Sequence, residues 1–254
     1  MEAGCPVVSI ITPCYNAAKY IEETIKSVLS QTFTNWEWLI IDDCSSDNSA
    51  EIIKKFKNND ARIRYFKTPS NTGSPAIPRN IGIEHSRGQY IALLDSDDVW
   101  YPSKLEDQLS LMQKMPCRIS YTDGVMMNEK GEIIRTMKKA SWVDYKRTLK
   151  RNELSCSSVV LDKNLIGELR FQNIPKEDFA FWIQLMKGTK EKAYNTHKIH
   201  YSYRIVGNSR SRNKVNIIKQ HWHVLRQSAG LNWVEALYCF TCWASRNIKK
   251  YYLK

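Results

Sequence analysis

The sequence predicts an α/β fold with a mainly parallel central sheet flanked by helices. Three observations predict it. Short, apolar, β-branched runs alternate with amphipathic helical segments over the first 115 residues. The spacing between them is that of βαβ units. Three of the runs end in polar clusters: Thr12–Asn16, Asp42–Asp47 and Asp95–Asp98.

Taken in order, Val7–Thr12 (VVSIIT) reads as a buried strand. Ala18–Gln31 follows as a helix with Ile21, Ile25, Val28 and Leu29 on one face. Trp36–Ile41 (WEWLII) is a second buried strand, stopping at Asp42-Asp43. Asp47 or Ser49 suits the cap of a helix that carries Ile52, Ile53 and Phe56. Ile63–Phe66 is a third strand. Pro78–Ser86 is a short helix with proline at its start, where a missing N–H costs nothing. Tyr90–Leu94 (YIALL) is a fourth strand and runs into Asp95-Ser96-Asp97-Asp98. Ser103–Met115 is the next helix. Crossovers should be right-handed, and parallel strands put all three polar clusters at one end of the sheet. Ligands of such sheets bind there, outside the carboxyl ends of the strands.

The second half is less regular. Arg118–Asp123 and Val125–Asn128 read as two strands before a turn at Glu129–Glu132. Ser157–Leu161 is a short strand. Glu177–Met186 (EDFAFWIQLM) is an amphipathic helix whose acidic first turn suits the helix dipole. Tyr194–Ile199 and Tyr201–Ile205 read as a pair of strands. A polar loop, Asn208–Asn213, precedes two closing helices, Asn213–Gln227 and Asn232–Tyr251.

The chain of 254 residues is 43% hydrophobic and 25% charged, enough apolar content for a real core and against intrinsic disorder. Its net charge of +12 is unevenly spread. Residues 1–127 hold 13 Lys/Arg against 16 Asp/Glu, a net of −3; the remainder hold 25 against 10, a net of +15. The acidic half suits a metal ion. The basic half suits phosphates or an anionic membrane surface, and nucleic acid is not among the expected partners. Seven cysteines, an odd number in no framework spacing, fit a reducing cytoplasm. Cys239-x-x-Cys242 has no second pair to complete a zinc site.

The clusters carry the chemistry. Asp95-x-Asp97-Asp98 puts three carboxylates within four residues, which repel unless a cation lies among them. Hard ions such as Mg²⁺ or Mn²⁺ commonly take one or two protein carboxylates and substrate phosphates. Capping of the following helix by Asp97 or Asp98 is the competing reading. Asp42-Asp43 can accept hydrogen bonds from a base or ribose, or simply start a turn. Thr12-Pro13-Cys14-Tyr15-Asn16 lacks the glycines of a dinucleotide fingerprint or P-loop, which disfavours those classes.

The string Val8-Ser-Ile-Ile-Thr-Pro-Cys-Tyr-Asn16 resembles the opening of family 2 glycosyltransferases. Glu37-Trp-Leu-Ile-Ile-Asp42-Asp43-Cys-Ser-Ser-Asp47 resembles their second motif. Pro78-Arg79-Asn80-x-Gly82 and Gly88-x-Tyr-Ile-Ala-Leu-Leu-Asp95-Ser-Asp97-Asp98-Val-Trp100 resemble the third and fourth. The narrower resemblance is to bacterial transferases that build teichuronic acid, capsule or O-antigen chains. It implies a glycosyltransferase A-type fold, a nucleotide-diphospho-sugar donor, usually UDP-linked, and inversion at the anomeric carbon. It implies Mn²⁺ or Mg²⁺ as cofactor, and a saccharide or lipid-linked saccharide as acceptor. By position, Thr12, Pro13 and Tyr15 would contact base and ribose, and Asp43 would bind the base. Arg79, Asp95 and Ser96 would contact the donor, and Asp97, assisted by Asp95, would hold the metal. Glu177-Asp178 resembles the family's Glu-Asp position, which makes Asp178 the catalytic base. Phe179–Trp182 lacks the Gln-x-x-Arg-Trp pattern of processive members, so one sugar per acceptor is expected.

These readings divide the chain into a catalytic domain, 1–208, with a nucleotide half (1–115) and an acceptor half (116–208), and a C-terminal loop and helices, 209–254. Arg210 or Arg212 could meet the diphosphate. Leu231–Ser245 carries one charge, Glu235, and is followed by Arg246, Lys249, Lys250 and Lys254. It is too short and polar to span a bilayer. It suits a helix lying in an anionic membrane interface or one packed on the body of the domain. The expected location is cytoplasmic, peripheral on the inner face of the cell membrane. The rival functions are a sugar-nucleotide nucleotidyltransferase and a non-catalytic polyanion- or saccharide-binding protein.

Overall fold

Apolar runs and amphipathic segments become strands and helices nearly where the pattern places them. The computed structural model describes residues 5–207 and 214–252. The first half runs β1 (Val8–Cys14), α1 (Ile21–Leu29), β2 (Trp36–Asp42), α2 (Ser49–Asn59), β3 (Ile63–Lys67), α3 (Ala76–His85), β4 (Tyr90–Leu93), β5 (Val99–Trp100) and α4 (Lys104–Lys114). The second half runs β6 (Ile119–Met127), β7 (Ile133–Met137), β8 (Trp142–Val143), α5 (Tyr145–Lys150), β9 (Val160–Asp162), α6 (Glu177–Thr189), β10 (Ala193–Arg204), α7 (Lys214–His223) and α8 (Trp233–Tyr252).

The strands form one sheet in the order β3-β2-β1-β4-β9-β6-β10-β5, with β7 on β6 and β8 on β10. The nucleotide half, β3-β2-β1-β4, is wholly parallel. Beyond β4 the sheet is mixed: β9 is antiparallel to β4 and β6, and β10 is parallel to β6. Side chains alternate across it. Ile11, Leu39, Ile41, Ile91 and Leu93 pack with Trp182 and Met186 of α6 on one face. Val8, Ile10, Trp38 and Ile40 pack with Ile25, Val28, Ile53 and Leu105 on the other. At Gly88 a Cβ would lie 2.6 Å from the Ser9 nitrogen, so glycine is what lets the chain pass β1.

Three expectations change. The two strands read at Arg118–Asp123 and Val125–Asn128 are one strand. Gly124 between them makes no turn; the Tyr201 ring lies where its side chain would be. Tyr194–Ile199 and Tyr201–Ile205 do not pair with each other. With only His200 between them there is no room for a turn, and they form the single strand β10, kinked where His197 adopts φ 58° and the register with β6 shifts. Residues Cys156–Ser158 are a 3₁₀ turn before β9, not strand. The loop at Asn208–Asn213, with Arg210 and Arg212, lies outside the described residues.

The closing helices make a third apolar cluster. Val224, Leu225, Ala229, Ala236 and Cys239 pack on Leu149 of α5 and on Phe179, Ala180 and Ile183 of α6.

Candidate active site

Parallel pairing fixes the site's frame. Cys14 pairs with Asp42 and Ile11 with Leu93, so the segments after β1, β2 and β4 leave the sheet at the same edge. The Asp43 N–H donates to the Cys14 carbonyl at 2.7 Å, which ties two of these segments together.

At β1, Thr12 lies on the face of Val8 and Ile10, and its hydroxyl accepts from the Trp38 indole at 2.9 Å. That side chain is fully buried. Pro13 is buried, whereas Tyr15 is 50% exposed at the strand end. Asn16 takes φ 47°, and its side-chain oxygen accepts from the Ser46 N–H at 2.9 Å. Asp47 accepts from the N–H groups of Ala18 and Ser49 at 2.9 and 3.0 Å, bracing both loops from just before the α2 cap.

Asp43 is buried and accepts from the Thr68 hydroxyl (3.0 Å), the Thr72 N–H (3.0 Å) and the Thr72 hydroxyl (2.9 Å). A carboxylate has about four acceptor positions, so about one remains for a base. Asp43 therefore also anchors the loop from Thr68 to Ser74. Asp42 faces away, accepting from Tyr65 and the Ser45 N–H.

The end of β4 is held from below. Asp98 is fully buried, accepting from the Ser157 hydroxyl at 2.5 Å and the Arg204 N–H at 3.0 Å. Burial, with repulsion from Asp97 and Asp95, pushes its carboxyl well above the usual range. Arg204 Nε donates to the Asp97 carbonyl at 2.9 Å and its Nη2 to Glu23 at 2.5 Å. Neither Asp97 nor Asp98 caps α4, whose cap position is Ser103, so the capping alternative is removed. Asp95, Ser96 and Asp97 are left half-buried at the rim. Burial and the Asp95 charge raise Asp97 to about 6.

Arg79 carries the main surprise. It is 3% exposed, donating through Nη2 to Asp95 at 2.7 Å and through Nη1 to Glu177 at 2.8 Å. Each terminal nitrogen thus holds one carboxylate, and the buried Nε has no hydrogen-bond partner among the described residues. The bridge sets the start of α6 against the end of β4. Asp178, next to Glu177, is half-buried and receives a 3.5 Å contact from the Asn152 amide. Burial and the Glu177 charge raise Asp178 to about 6, with Arg79 opposing. Tyr203 senses Asp98, Asp95, Asp97 and Asp178 together, and its phenol is raised chiefly by burial.

A divalent cation fits this donor set. Asp95 and Asp97 offer oxygen ligands, and a cation between them would offset both the burial of Asp97 and its repulsion from Asp95. Among the described residues no three His, Cys, Asp or Glu side chains converge as a full cage. A hard ion that draws its other ligands from phosphates needs none.

Sequence reasoning missed Glu177 as the partner of Arg79, and missed Ser157 and Arg204 under Asp98. It also missed Lys139, whose ammonium bonds the Ser155 and Ser158 hydroxyls at 3.3 and 3.0 Å and is lowered to about 7 by burial. The one available signal was a lone arginine, Arg204, in an otherwise uncharged strand end.

The family model "Glycosyl transferase family 2" matches residues 9–163. A Bacillus subtilis (strain 168) protein named for teichuronic acid biosynthesis is 36% identical over 247 residues, covering 96% of this chain and 97% of the relative. The Escherichia coli UDP-Glc:alpha-D-GlcNAc-diphosphoundecaprenol beta-1,3-glucosyltransferase WfgD is 36% identical over 219 residues, 86% of this chain and 85% of its own. Among solved structures, S. aureus TarS 1-349 in complex with UDP-GlcNAc has a TM-score of 0.75 at 20% identity, covering 95% of this chain and 72% of that one. Mannosyltransferase PcManGT from Pyrobaculum calidifontis, in complex with GDP-Man and Mn²⁺, has a TM-score of 0.64 at 14% identity, covering 97% and 76%. These likenesses show the glycosyltransferase A-type fold.

Proposed function

Given that the chain belongs to glycosyltransferase family 2, we propose that it transfers one sugar per acceptor, with inversion, from a UDP-linked donor to a hydroxyl of a lipid-linked saccharide. The setting is bacterial surface polysaccharide assembly, and Mn²⁺ or Mg²⁺ is the cofactor. The observation that carries this reading is the double ion pair of Arg79, which sets Asp178 across from the acidic end of β4. The named chemistry of the relatives supports the donor and acceptor class: a UDP-glucose donor and a diphosphoundecaprenol-linked acceptor for the Escherichia coli protein.

In this reading Tyr15 lies against the base, and the remaining acceptor position of Asp43 binds it. Asp97 and Asp95 would hold the cation. When bound, the cation offsets charge on the departing diphosphate. Asp178 takes the proton from the attacking acceptor hydroxyl as the bond to the anomeric carbon forms and the nucleotide diphosphate leaves. An elevated carboxyl suits that task, since a base near neutrality is both ionised and avid. Arg79 opposes the rise from burial and Glu177 and so keeps Asp178 ionisable, and it holds α6 in register with the donor.

The test is a panel of UDP-sugars offered with a diphosphate-lipid-linked N-acetylhexosamine, reading transferred sugar. The wild type should use one donor preferentially. Asp178→Asn should bind donor as tightly but transfer about 10²–10⁴-fold more slowly. Equal transfer by this variant sinks the assignment of the base. A nucleotidyltransferase would instead consume nucleoside triphosphate and release pyrophosphate.

A further inference from the structure

The sequence left α8 with two readings, and the structure gives the helix two faces. One face packs inward: Ala236 and Cys239 are buried against the body, and Trp243 stacks on His221 at 4.1 Å. His221 in turn stacks on Phe179 of α6 at 4.8 Å. The opposite face carries Trp233, Val234, Leu237 and Tyr238, exposed by 68, 78, 56 and 57%. Their spacing puts them on one stripe of a helix. With Trp222 of α7, the first three wall a groove of about 280 Å³. Four large apolar side chains left this open at adjacent positions are not ordinary surface.

The rim is basic. The Arg226 guanidinium lies 4.9 Å from the Trp233 ring, and Lys150 lies 4.7 Å from the Tyr238 ring and donates to its hydroxyl at 3.2 Å. Between residues 214 and 245 the one carboxylate is Glu235. It is engaged in capping α8, accepting from the Asn232 N–H at 3.2 Å. The sequence beyond adds Arg246, Lys249, Lys250 and Lys254. Among the described residues no helix is long and apolar enough to cross a membrane, so burial of this stripe in lipid would be interfacial.

We propose that this face of α8 docks on an anionic lipid bilayer. Trp233, Val234, Leu237 and Tyr238 enter the headgroup–acyl boundary while Arg226 and Lys150 meet lipid phosphates. A two-fold dimer through this face would set these cations against their own copies, whereas anionic headgroups complement them. The docked unit packs directly on α6, whose first turn holds Asp178. Docking would therefore present the base to a membrane-held acceptor. That consequence rests on the proposed lipid-linked acceptor; the docking itself does not.

The experiment sediments full-length protein with vesicles of phosphatidylcholine alone or mixed with phosphatidylglycerol. It compares wild type with Trp233→Ser/Leu237→Ser and with Lys150→Gln/Arg226→Gln. Transfer to a water-soluble acceptor and the melting temperature are read alongside. Wild type should pellet with the anionic vesicles. The first variant should lose at least about tenfold in partitioning. The second should lose the preference for anionic lipid. Transfer to the soluble acceptor should not change in either, and the melting temperature should not change in the first; Arg226 also donates to the Leu231 carbonyl, so the second is read by its lipid preference. Wild type left in the supernatant overturns the proposal, as does undiminished pelleting of the Trp233→Ser/Leu237→Ser variant. So does a wild-type dimer in ultracentrifugation that this variant dissolves, since a second copy would then cover the face. Vesicle binding without transfer to any acceptor supports the docking face and counts against the donor chemistry alone.

Discussion

Replacing Arg79 with methionine tests the bridge between the two halves of the site. Its guanidinium satisfies two carboxylates on elements far apart in sequence, at 2.7 Å to Asp95 and 2.8 Å to Glu177. The Glu177 side chain is 10% exposed and the Asp95 side chain 32%. The Glu177 arm thus dominates, while the Asp95 arm is discounted for solvent screening. Removing one partner of a buried pair leaves the other charged and unpaired, at a cost of about 3–5 kcal/mol. For a domain of this size each kcal/mol lowers the melting temperature by about 2–4 °C, so a fall of about 6–20 °C is expected. Methionine fills much of the same volume, so the loss reads as charge and not as a cavity. Thermal melts of Arg79→Met, Glu177→Gln and the double variant measure it. The double variant should melt above Arg79→Met, because no orphaned carboxylate remains at position 177. Arg79→Met within about 2 °C of the parent would refute the reasoning, since it would mean that the pair contributes nothing.

Further outcomes follow from the same geometry. Transfer rate should rise with pH through about 6 as Asp178 ionises, and this acid limb should move upward in Arg79→Lys, whose single ammonium cannot serve both carboxylates; a limb unmoved by Asp178→Glu and Arg79→Lys would assign it elsewhere. His221 is lowered from 6.5 to about 3 by burial, so the unfolded chain binds its proton first and stability is lost as pH falls through that window. His221→Phe keeps the ring stack and should flatten the loss in denaturant titrations between those pH values. Gly124→Ala must displace the Tyr201 ring and should destabilise by about 1–3 kcal/mol in urea, and a neutral result would show the ring free to move.

Much of this was legible before the fold was seen. Apolar runs named β1, β2 and β4, because strands buried on both faces carry near-continuous apolar sequence, while the edge strand β3 showed itself by its β-branched and aromatic residues. The aspartates after β2 and β4 stood out because charge directly after such a run has few structural uses. What escaped notice depends on distant partners. Nothing local says that Arg79 meets Glu177, 98 residues away, or that Arg204 supports Asp98 across 106. Thr12 also takes a distant partner: the alternation along β1 turns its hydroxyl inward to the Trp38 indole, 26 residues away. The second half misled because β6 and β10 carry a glycine and a kink inside long strands, where sequence reading expects a break.

Calorimetric titration of UDP into the protein, with Mn²⁺ and with chelator, tests most directly whether the acidic strand ends bind a nucleotide diphosphate through a cation. The expected result is UDP binding that requires Mn²⁺ in the wild type and is weakened in Asp97→Asn, with Asp178→Asn unchanged. Binding equally tight in chelator, or unaffected by Asp97→Asn, would contradict it.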